Sequence, residues 1–192
     1  MENINEKVQN FNTAIQGVKT QLRRDLVGQD EVVDNVVIAI IAGGNVLLEG
    51  VPGVGKTRLV RSLGKTLNLP FSRIQFTPDL MPSDVTGTEI MRKDEQGNMQ
   101  SEFRRGPIFA NLVLADEINR ATPKTQAAML EVMQEHKVTV AGNTYGMEEP
   151  FFVLATENPI ASVAYGDSSL SEGAFGRART SLKGYGLCPM PL

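Results

Sequence analysis

Hydrophobic residues recur at alternating steps of four and three along the first part of the chain. The series comprises Ile4, Val8, Phe11, Ile15, Val18 and Leu22. This spacing predicts an amphipathic helix that packs on its own domain, with pairing to a separate coiled-coil partner as the alternative. Asp30 is predicted to cap a second helix, which continues to about Ala42 and ends at Gly43-Gly44.

Short apolar runs alternate with helical patterns through the middle of the chain. Four runs have the length of buried strands, and they cover residues 45–49, 71–76, 112–115 and 151–155. Helical patterns follow the first and third runs, from Lys56 to about Leu67 and from Thr122-Pro123 to about His136. Strands that alternate with helices predict an α/β fold, in which helices cover both faces of a parallel sheet.

Polar stretches separate these elements. Residues 77–88 contain two prolines and two aspartates, and we predict a loop there. Residues 89–103 alternate around a turn signal at 95–98 and predict a hairpin, and residues 138–145 predict a smaller one. From Ala161 the chain is rich in glycine, serine and alanine without sustained periodicity, which predicts an irregular tail.

Composition narrows the functional classes. The net charge of −3 and the sequence pI of about 5.3 argue against a broad nucleic-acid surface, which needs clustered Lys and Arg. A single cysteine excludes an intrachain disulfide. The apolar run at residues 36–42 is too short for membrane insertion, and the N-terminus lacks the pattern of a secretory signal. The predicted compartment is therefore the cytoplasm.

The pattern G-x-x-x-x-G-K-[ST] lies between the first strand and its helix. It comprises Gly50, Val51, Pro52, Gly53, Val54, Gly55, Lys56 and Thr57. Glycines there would let backbone N–H groups face phosphate oxygens, and the helix N-terminus would add partial positive charge. Lys56 would bridge the β- and γ-phosphates, and the Thr57 hydroxyl would bind Mg²⁺. The motif predicts binding of ATP with Mg²⁺, and a glycine-rich turn without a ligand is the alternative.

Acidic residues follow the third strand. Asp116 would hold Mg²⁺ through water, and Glu117 would orient and activate the attacking water. An acidic pair after a strand is commonly a cap or turn, but the upstream phosphate-binding pattern favours the catalytic interpretation. Asn158 follows the fourth strand, where its amide could contact both the γ-phosphate and the attacking water. A turn-forming Asn before Pro159 explains the same residues.

These blocks, in this order, resemble the AAA+ ATPases and, among them, closely the MoxR family. The supporting stretches are residues 27–29, 75–87, 106–111, 115–121, 124–128 and 155–159. The Phe-Thr-Pro-Asp-Leu and Asp-Glu-Ile-Asn-Arg-Ala strings within them are the most specific. The resemblance extends from about Gly17 to Ile160, and it implies a P-loop NTPase fold.

The resemblance assigns family roles to residues. Lys56 and Thr57 match Walker A, Asp116 and Glu117 match Walker B, and Asn158 matches sensor 1. Two further residues, Gly28 and Gln29, fall where the family contacts adenine. Residues 88–103 resemble the hairpin inserted in helix 2, and residues 137–145 resemble the hairpin before sensor 1.

The resemblance also implies partners and a domain division. Such proteins form homo-oligomeric rings, usually hexamers, which remodel or mature protein clients, often with a von Willebrand factor A domain protein. The chain then divides into an N-terminal helix at 1–26, an incomplete AAA+ core at 27–160 and an unmatched tail at 161–192. We expect the tail to reflect a reading-frame change or truncation, with the C-terminal lid absent. The family's ring arginine lies downstream, and neither Arg177 nor Arg179 is assigned that role.

Three functions stay open from the sequence. The first is a MoxR-type ATPase that remodels protein clients. The second is a nucleotide-binding fragment with little turnover, which at most regulates an intact ring. The third is a nucleic-acid motor on the same fold, against which the acidic pI and the missing basic stripe count.

Overall fold

A parallel sheet forms the centre of the protein. The computed structural model describes residues 3–49 and 55–157, together with the backbone of 179–181. The helices are α1 (Ile4–Asp25), α2 (Asp30–Ile41), α3 (Lys56–Leu67), α4 (Pro82–Thr86) and α5 (Pro123–Glu135). The strands are β1 (Val46–Glu49), β2 (Phe71–Gln75), β3 (Gly87–Lys93), β4 (Met99–Arg105), β5 (Leu112–Asp116), β6 (Lys137–Val140), β7 (Asn143–Gly146), β8 (Phe152–Glu157) and β9 (Arg179–Ser181).

The central sheet has the strand order β2-β5-β8-β1-β9, and every pair in it is parallel. Alternate residues of each strand point to opposite faces. On one face Val46 and Leu48 pack with apolar residues of α1, α2 and α3. On the other face Leu47 packs in a cluster that includes Met129 and Met133 of α5. The predicted α/β fold, with helices on both faces of a parallel sheet, is confirmed.

Only the second half of α1 packs on the domain. Leu22 is fully buried, and Ile15 and Val18 are partly buried against the same cluster. By contrast Ile4, the first residue of the predicted apolar stripe, is 77% exposed. The helix itself is confirmed, but its predicted packing face is covered only towards its C-terminal end.

The structure differs from the sequence predictions both in elements and in boundaries. A short helix, α4, occupies part of the predicted loop, because Pro82 begins it and the Asp84 carboxylate accepts the Met81 N–H at 2.9 Å. The first helical residue of α2 is Asp30, and the cap is Gln29. Strand β8 continues through Glu157 because its end pairs with β1. In the predicted irregular tail, β9 pairs with β1, and the other tail residues lie outside the described part.

Two antiparallel hairpins, β3–β4 and β6–β7, lie outside the central sheet. They contact each other through Phe103 and Tyr145, whose stacked rings have centroids 3.9 Å apart. The second hairpin joins the C-terminal end of α5 to the amino end of β8, and the first precedes the amino end of β5. Both hairpins therefore belong to the side of the sheet where these strands begin.

The base of the β3–β4 hairpin requires glycine. A Cβ at Gly106 would lie 2.3 Å from the Val85 carbonyl oxygen, and one at Gly87 would lie 2.3 Å from the Arg104 carbonyl oxygen. Both contacts are with backbone atoms, which cannot rotate away as a side chain end would. This close crossing explains why two glycines flank the hairpin.

We expect Gly106→Ala to lower the free energy of unfolding by about 1–3 kcal/mol, because the backbone must shift to admit the methyl group. Urea unfolding followed by circular dichroism measures the change. Gly146→Ala is the matched control, since a Cβ there meets nothing within 4 Å. Equal stability of the two variants would contradict the proposed crossing constraint.

No described helix is both long enough and apolar enough to cross a membrane.

Candidate nucleotide site

The predicted phosphate-binding loop joins β1 to α3, at the carboxyl end of the sheet. Gly55, Lys56 and Thr57 are described, whereas residues 50–54 and Asn158 lie outside the described residues. Gly55 caps α3 with φ of 90° and ψ of 15°, a left-handed conformation that glycine adopts readily. Lys56 and Thr57 are the first two residues of α3, where free backbone N–H groups and the helix dipole favour an anion.

The segment after α1 lies beside this loop. A Cβ at Gly55 would be 3.8 Å from Leu26 Cδ2, so the two segments approach to van der Waals distance there. The next residues, Gly28 and Gln29, line a cavity of about 240 Å³ together with the first turn of α2. A concave surface therefore exists where the resemblance puts adenine, and the adenine contact itself stays a prediction.

Lys56 reaches across to β8. Its Nζ donates a hydrogen bond to the Glu157 carbonyl oxygen at 3.0 Å. Burial lowers the pKa of Lys56 from its ordinary value, and the negative charges of Asp116, Glu117 and Glu157 oppose that effect. The ammonium group is thus partly desolvated and surrounded by acids from two neighbouring strands. A polyphosphate at the start of α3 would add negative charge beside it and favour its charged form.

Both carboxylate oxygens of Asp116 are held. Oδ1 accepts a hydrogen bond from the Thr156 hydroxyl at 2.6 Å. Oδ2 accepts from the Arg73 guanidinium, at 2.6 Å from one nitrogen and 3.2 Å from another. The carboxylate is largely buried, with 15% of its side chain exposed. Neighbours on β2 and β8 therefore fix its position at the end of β5.

Glu117 has an unusual backbone conformation. Its φ of 55° and ψ of 48° are left-handed, which few residues other than glycine and asparagine adopt. Its N–H donates to the Thr156 hydroxyl oxygen at 2.9 Å. Its Oε2 accepts from Arg120 at 2.8 Å and from the Gln75 amide at 3.2 Å. This conformation ends strand β5 before Glu117, and the Glu117 side chain contacts the hydrogen-bond donors Arg120 and Gln75.

Four residues of this network have no predicted role in the sequence analysis: Arg73, Gln75, Thr156 and Arg120. Arg73 and Gln75 alternate with the buried residues Ile74 and Phe76. This alternation is the sequence signal that could have indicated a polar face on β2. The Thr156 hydroxyl contacts both Asp116 and the backbone of Glu117. It therefore links the two acids to β8.

The described residues give the site a definite chemistry. The Lys56 ammonium group lies near two adjacent carboxylates at the carboxyl ends of parallel strands, and Thr57 supplies a hydroxyl at the second position of α3. Open α/β sheets bind ligands at this edge. Carboxylate and hydroxyl oxygens suit Mg²⁺, and the ammonium group suits a phosphate.

Comparison with known protein families classifies this chain. The family described as "ATPase family associated with various cellular activities (AAA)" matches residues 45–178. Chaperone MoxR1 of Mycobacterium tuberculosis is 50% identical over 140 residues, which are 73% of this chain and 36% of that protein. This chain is a member of the MoxR family of AAA+ ATPases. The resemblance predicted from the motifs is confirmed.

Other relatives agree with this placement of the MoxR-family chain. Uncharacterized protein YeaC of Bacillus subtilis is 53% identical over 139 residues, covering 72% of this chain and 42% of the relative. Protein MoxR of Methylorubrum extorquens is 32% identical over 130 residues, covering 65% and 37%. A crystal structure from Cytophaga hutchinsonii, described as an ATPase candidate, has a TM-score of 0.78 and 41% identity, and the match covers 93% of this chain and 53% of that one.

The similar regions cover only part of each relative. The MoxR-family chain spans less than half the length of these three curated relatives. The family match continues to residue 178, beyond Ile160, where the sequence resemblance was expected to end. The predicted absence of a lid falls on the tail, of which only 179–181 are described.

We expect Thr156→Val to lower the free energy of unfolding by about 1–3 kcal/mol, because the buried oxygen of Asp116 and the N–H of Glu117 lose their shared hydroxyl. Thermal unfolding of the nucleotide-free chain measures this loss. Thr156→Ser is the matched control, since serine keeps the hydroxyl. If the valine variant were as stable as the serine variant, the hydroxyl would have no such linking role.

Proposed function

We propose that this MoxR-family chain binds ATP with Mg²⁺ and hydrolyses it. The observation that carries the proposal is the position of Lys56, at the start of α3 and beside the acids at the ends of β5 and β8. The ammonium group there can neutralise the charge of a phosphate, and the adjacent carboxylates can bind a metal ion and orient water. Few other ligands would require this combination of charges.

The donor set fits the magnesium salt of a nucleotide. Thr57 and Asp116 would hold Mg²⁺, which keeps several water and phosphate ligands of its own. When bound, the metal supplies positive charge that stabilises the transferred phosphoryl group. Arg73 and Thr156 hold the Asp116 carboxylate in place. The chain thereby supplies a preorganised acid rather than a mobile one.

Water activation is assigned to Glu117. Its carboxylate would accept a proton from the attacking water, and Lys56 would compensate charge on the phosphate oxygens. Arg120 and Gln75 donate hydrogen bonds to the same carboxylate. Asn158, whose role also stays a proposal, follows directly after the end of β8 and would orient the water.

The relatives support a proposal for the wider activity. One relative is described as a chaperone, which supports a role for this chain in remodelling or maturing client proteins. We propose that it works as a homo-oligomeric ring, hexameric as in the family, in the cytoplasm. A protein with a von Willebrand factor A domain is the proposed partner. Nucleic acid is not proposed as a ligand, because the chain is acidic.

A second candidate function is nucleotide binding with little turnover. The observation that favours it is the engagement of both acids by arginine, Asp116 with Arg73 and Glu117 with Arg120. If the ion pair with Arg120 persists when nucleotide is bound, Oε2 of Glu117 stays engaged by Arg120 and Gln75 and does not accept a proton from water. The chain would then regulate an intact ring.

One paired measurement separates the two functions. The purified chain is assayed for binding of a fluorescent ATP analogue and for phosphate release from ATP, each with Mg²⁺ and with EDTA. Magnesium-dependent binding with steady phosphate release supports hydrolysis. Magnesium-dependent binding without release supports the second candidate, and a folded chain that binds no adenine nucleotide refutes both.

A further inference from the structure

Strand β2 ends the central sheet, and no other described strand pairs with its outer edge. Leu112 N–H donates to the Pro70 carbonyl, and Phe76 N–H donates to the Asp116 carbonyl. Backbone groups of a strand alternate between its two edges, so positions 70, 72, 74 and 76 face β5. The N–H and C=O groups of Phe71, Arg73 and Gln75 therefore face outward. This edge has the form that can pair with an added strand.

A groove begins beside the amino end of this edge. It has a volume of about 460 Å³ and lies between the C-terminal end of α3 and the start of β2. Leu69, Pro70 and Phe71 give it an apolar lining, and Arg61 and Lys65 line its α3 side. No acidic side chain is among the residues that line it. The groove is thus apolar with a positive border.

The positive border belongs to a row of three basic residues on α3, which is a local feature and not the broad basic surface that nucleic-acid binding needs. Arg58, Arg61 and Lys65 recur at steps of three and four on α3, and all three are exposed. Within residues 3–49 and 55–157 none of them forms an ion pair with an acid. A chain with a net charge of −3 therefore carries a concentrated positive surface beside an unpaired strand edge.

We propose that the β2 edge and the α3 groove together dock an extended, acidic segment of a protein partner as an additional strand. The outward backbone groups would bind the segment through a strand ladder. Its acidic side chains would lie near Arg61 and Lys65, and its apolar ones would enter the groove. Charge complementarity favours an acidic segment, because the only charges that border the groove are positive.

The groove lies away from the phosphate-binding end of α3. Lys65 is about 14 Å along the helix from Lys56, whereas the outer edge of β2 ends at Gln75, beside the acids. Only the backbone of Arg73 and Gln75 takes part, since their side chains are hydrogen-bonded to Asp116 and Glu117. Docking is therefore measurable without ATP, and its failure leaves the proposed hydrolysis untouched.

The first test uses a fluorescent peptide of about eight alternating Glu and Val residues, the length of an ordinary strand. Its anisotropy should rise on addition of the full chain, and the affinity should fall as salt is raised. A peptide with Lys in place of Glu should not bind. Two further peptides carry N-methyl groups on one or the other alternate set of amides. Only one set can face β2, so one of these peptides should lose binding and the other should retain it.

The second test changes the protein. The double variant Arg61→Glu, Lys65→Glu should bind the acidic peptide at least about tenfold more weakly, because two attractive charges become repulsive. The control is Lys93→Glu with Arg104→Glu on the β3–β4 hairpin, which reverses one exposed Lys and one exposed Arg away from the groove. Circular dichroism verifies that both variants fold.

Several results would overturn the proposal. Equal weakening by both double variants would show a general charge effect, and equal binding of both N-methylated peptides would exclude a strand ladder. Competition by a single-stranded oligonucleotide at the peptide's own affinity would make the surface a polyanion site. Loss of self-association in the Arg61→Glu, Lys65→Glu variant, measured by sedimentation, would make the occupant a second copy of the chain.

Discussion

Replacing Glu117 by Gln should reduce ATP hydrolysis by about 100-fold or more while ATP affinity changes little, because the amide cannot accept the proton from water. The amide oxygen can still accept hydrogen bonds from Arg120 and Gln75, so the local structure should persist. Single-turnover phosphate release measures the chemical step, and fluorescent-nucleotide titration measures binding.

The matched control is Glu131→Gln, an exposed acid on α5. It should leave both binding and turnover near their original values. Unchanged hydrolysis in Glu117→Gln would assign water activation to another residue. A parallel fall in binding and turnover would instead indicate that Glu117 serves nucleotide affinity, and the proposed division of roles between the two acids would be wrong.

Replacing Lys56 by Ala should weaken ATP binding by about 10- to 100-fold, since a charge-assisted hydrogen bond to phosphate is lost. The effect should be larger for ATP than for AMP, because AMP lacks the β- and γ-phosphates. Isothermal titration calorimetry with both nucleotides in the presence of Mg²⁺ measures the difference.

Lys65→Ala provides the control for Lys56→Ala. It removes an exposed ammonium group from the same helix, at the end away from the predicted phosphate loop. Its affinity for ATP should match that of the original chain. If the two variants bound ATP equally, the ammonium group of Lys56 would have no specific phosphate contact, and the central proposal would lose its main support.

The sequence predicted the elements whose patterns are long and periodic. The bounds of α3 were predicted at both ends, since a glycine-rich turn precedes it and a Leu-Asn-Leu-Pro stretch follows. A five-residue helix such as α4 is too short to show periodicity, so its prolines and aspartates indicated a loop. The end of β8 is polar, so the predicted strand stopped at residue 155, whereas pairing with β1 continues it to Glu157.

Within the candidate site, the acids were predictable and their supports were not. Asp116 and Glu117 follow an apolar strand, which is a local signal. Arg73 contacts Asp116 only because β2 lies beside β5, and Thr156 does so only because β8 lies on the other side. Strand order is a property of the whole fold, and no local pattern in a single sequence encodes it.

The hairpins and the acids lie at opposite ends of the sheet. Tyr145 and Phe103 meet near the beginnings of the central strands, whereas Glu157 closes β8 beside Lys56. Six residues of extended chain separate these ends, a span of about 20 Å through a stiff, fully buried strand. Any effect of a ligand at the acids on the hairpins would therefore have to be transmitted along the length of β8 or through the helices packed on it.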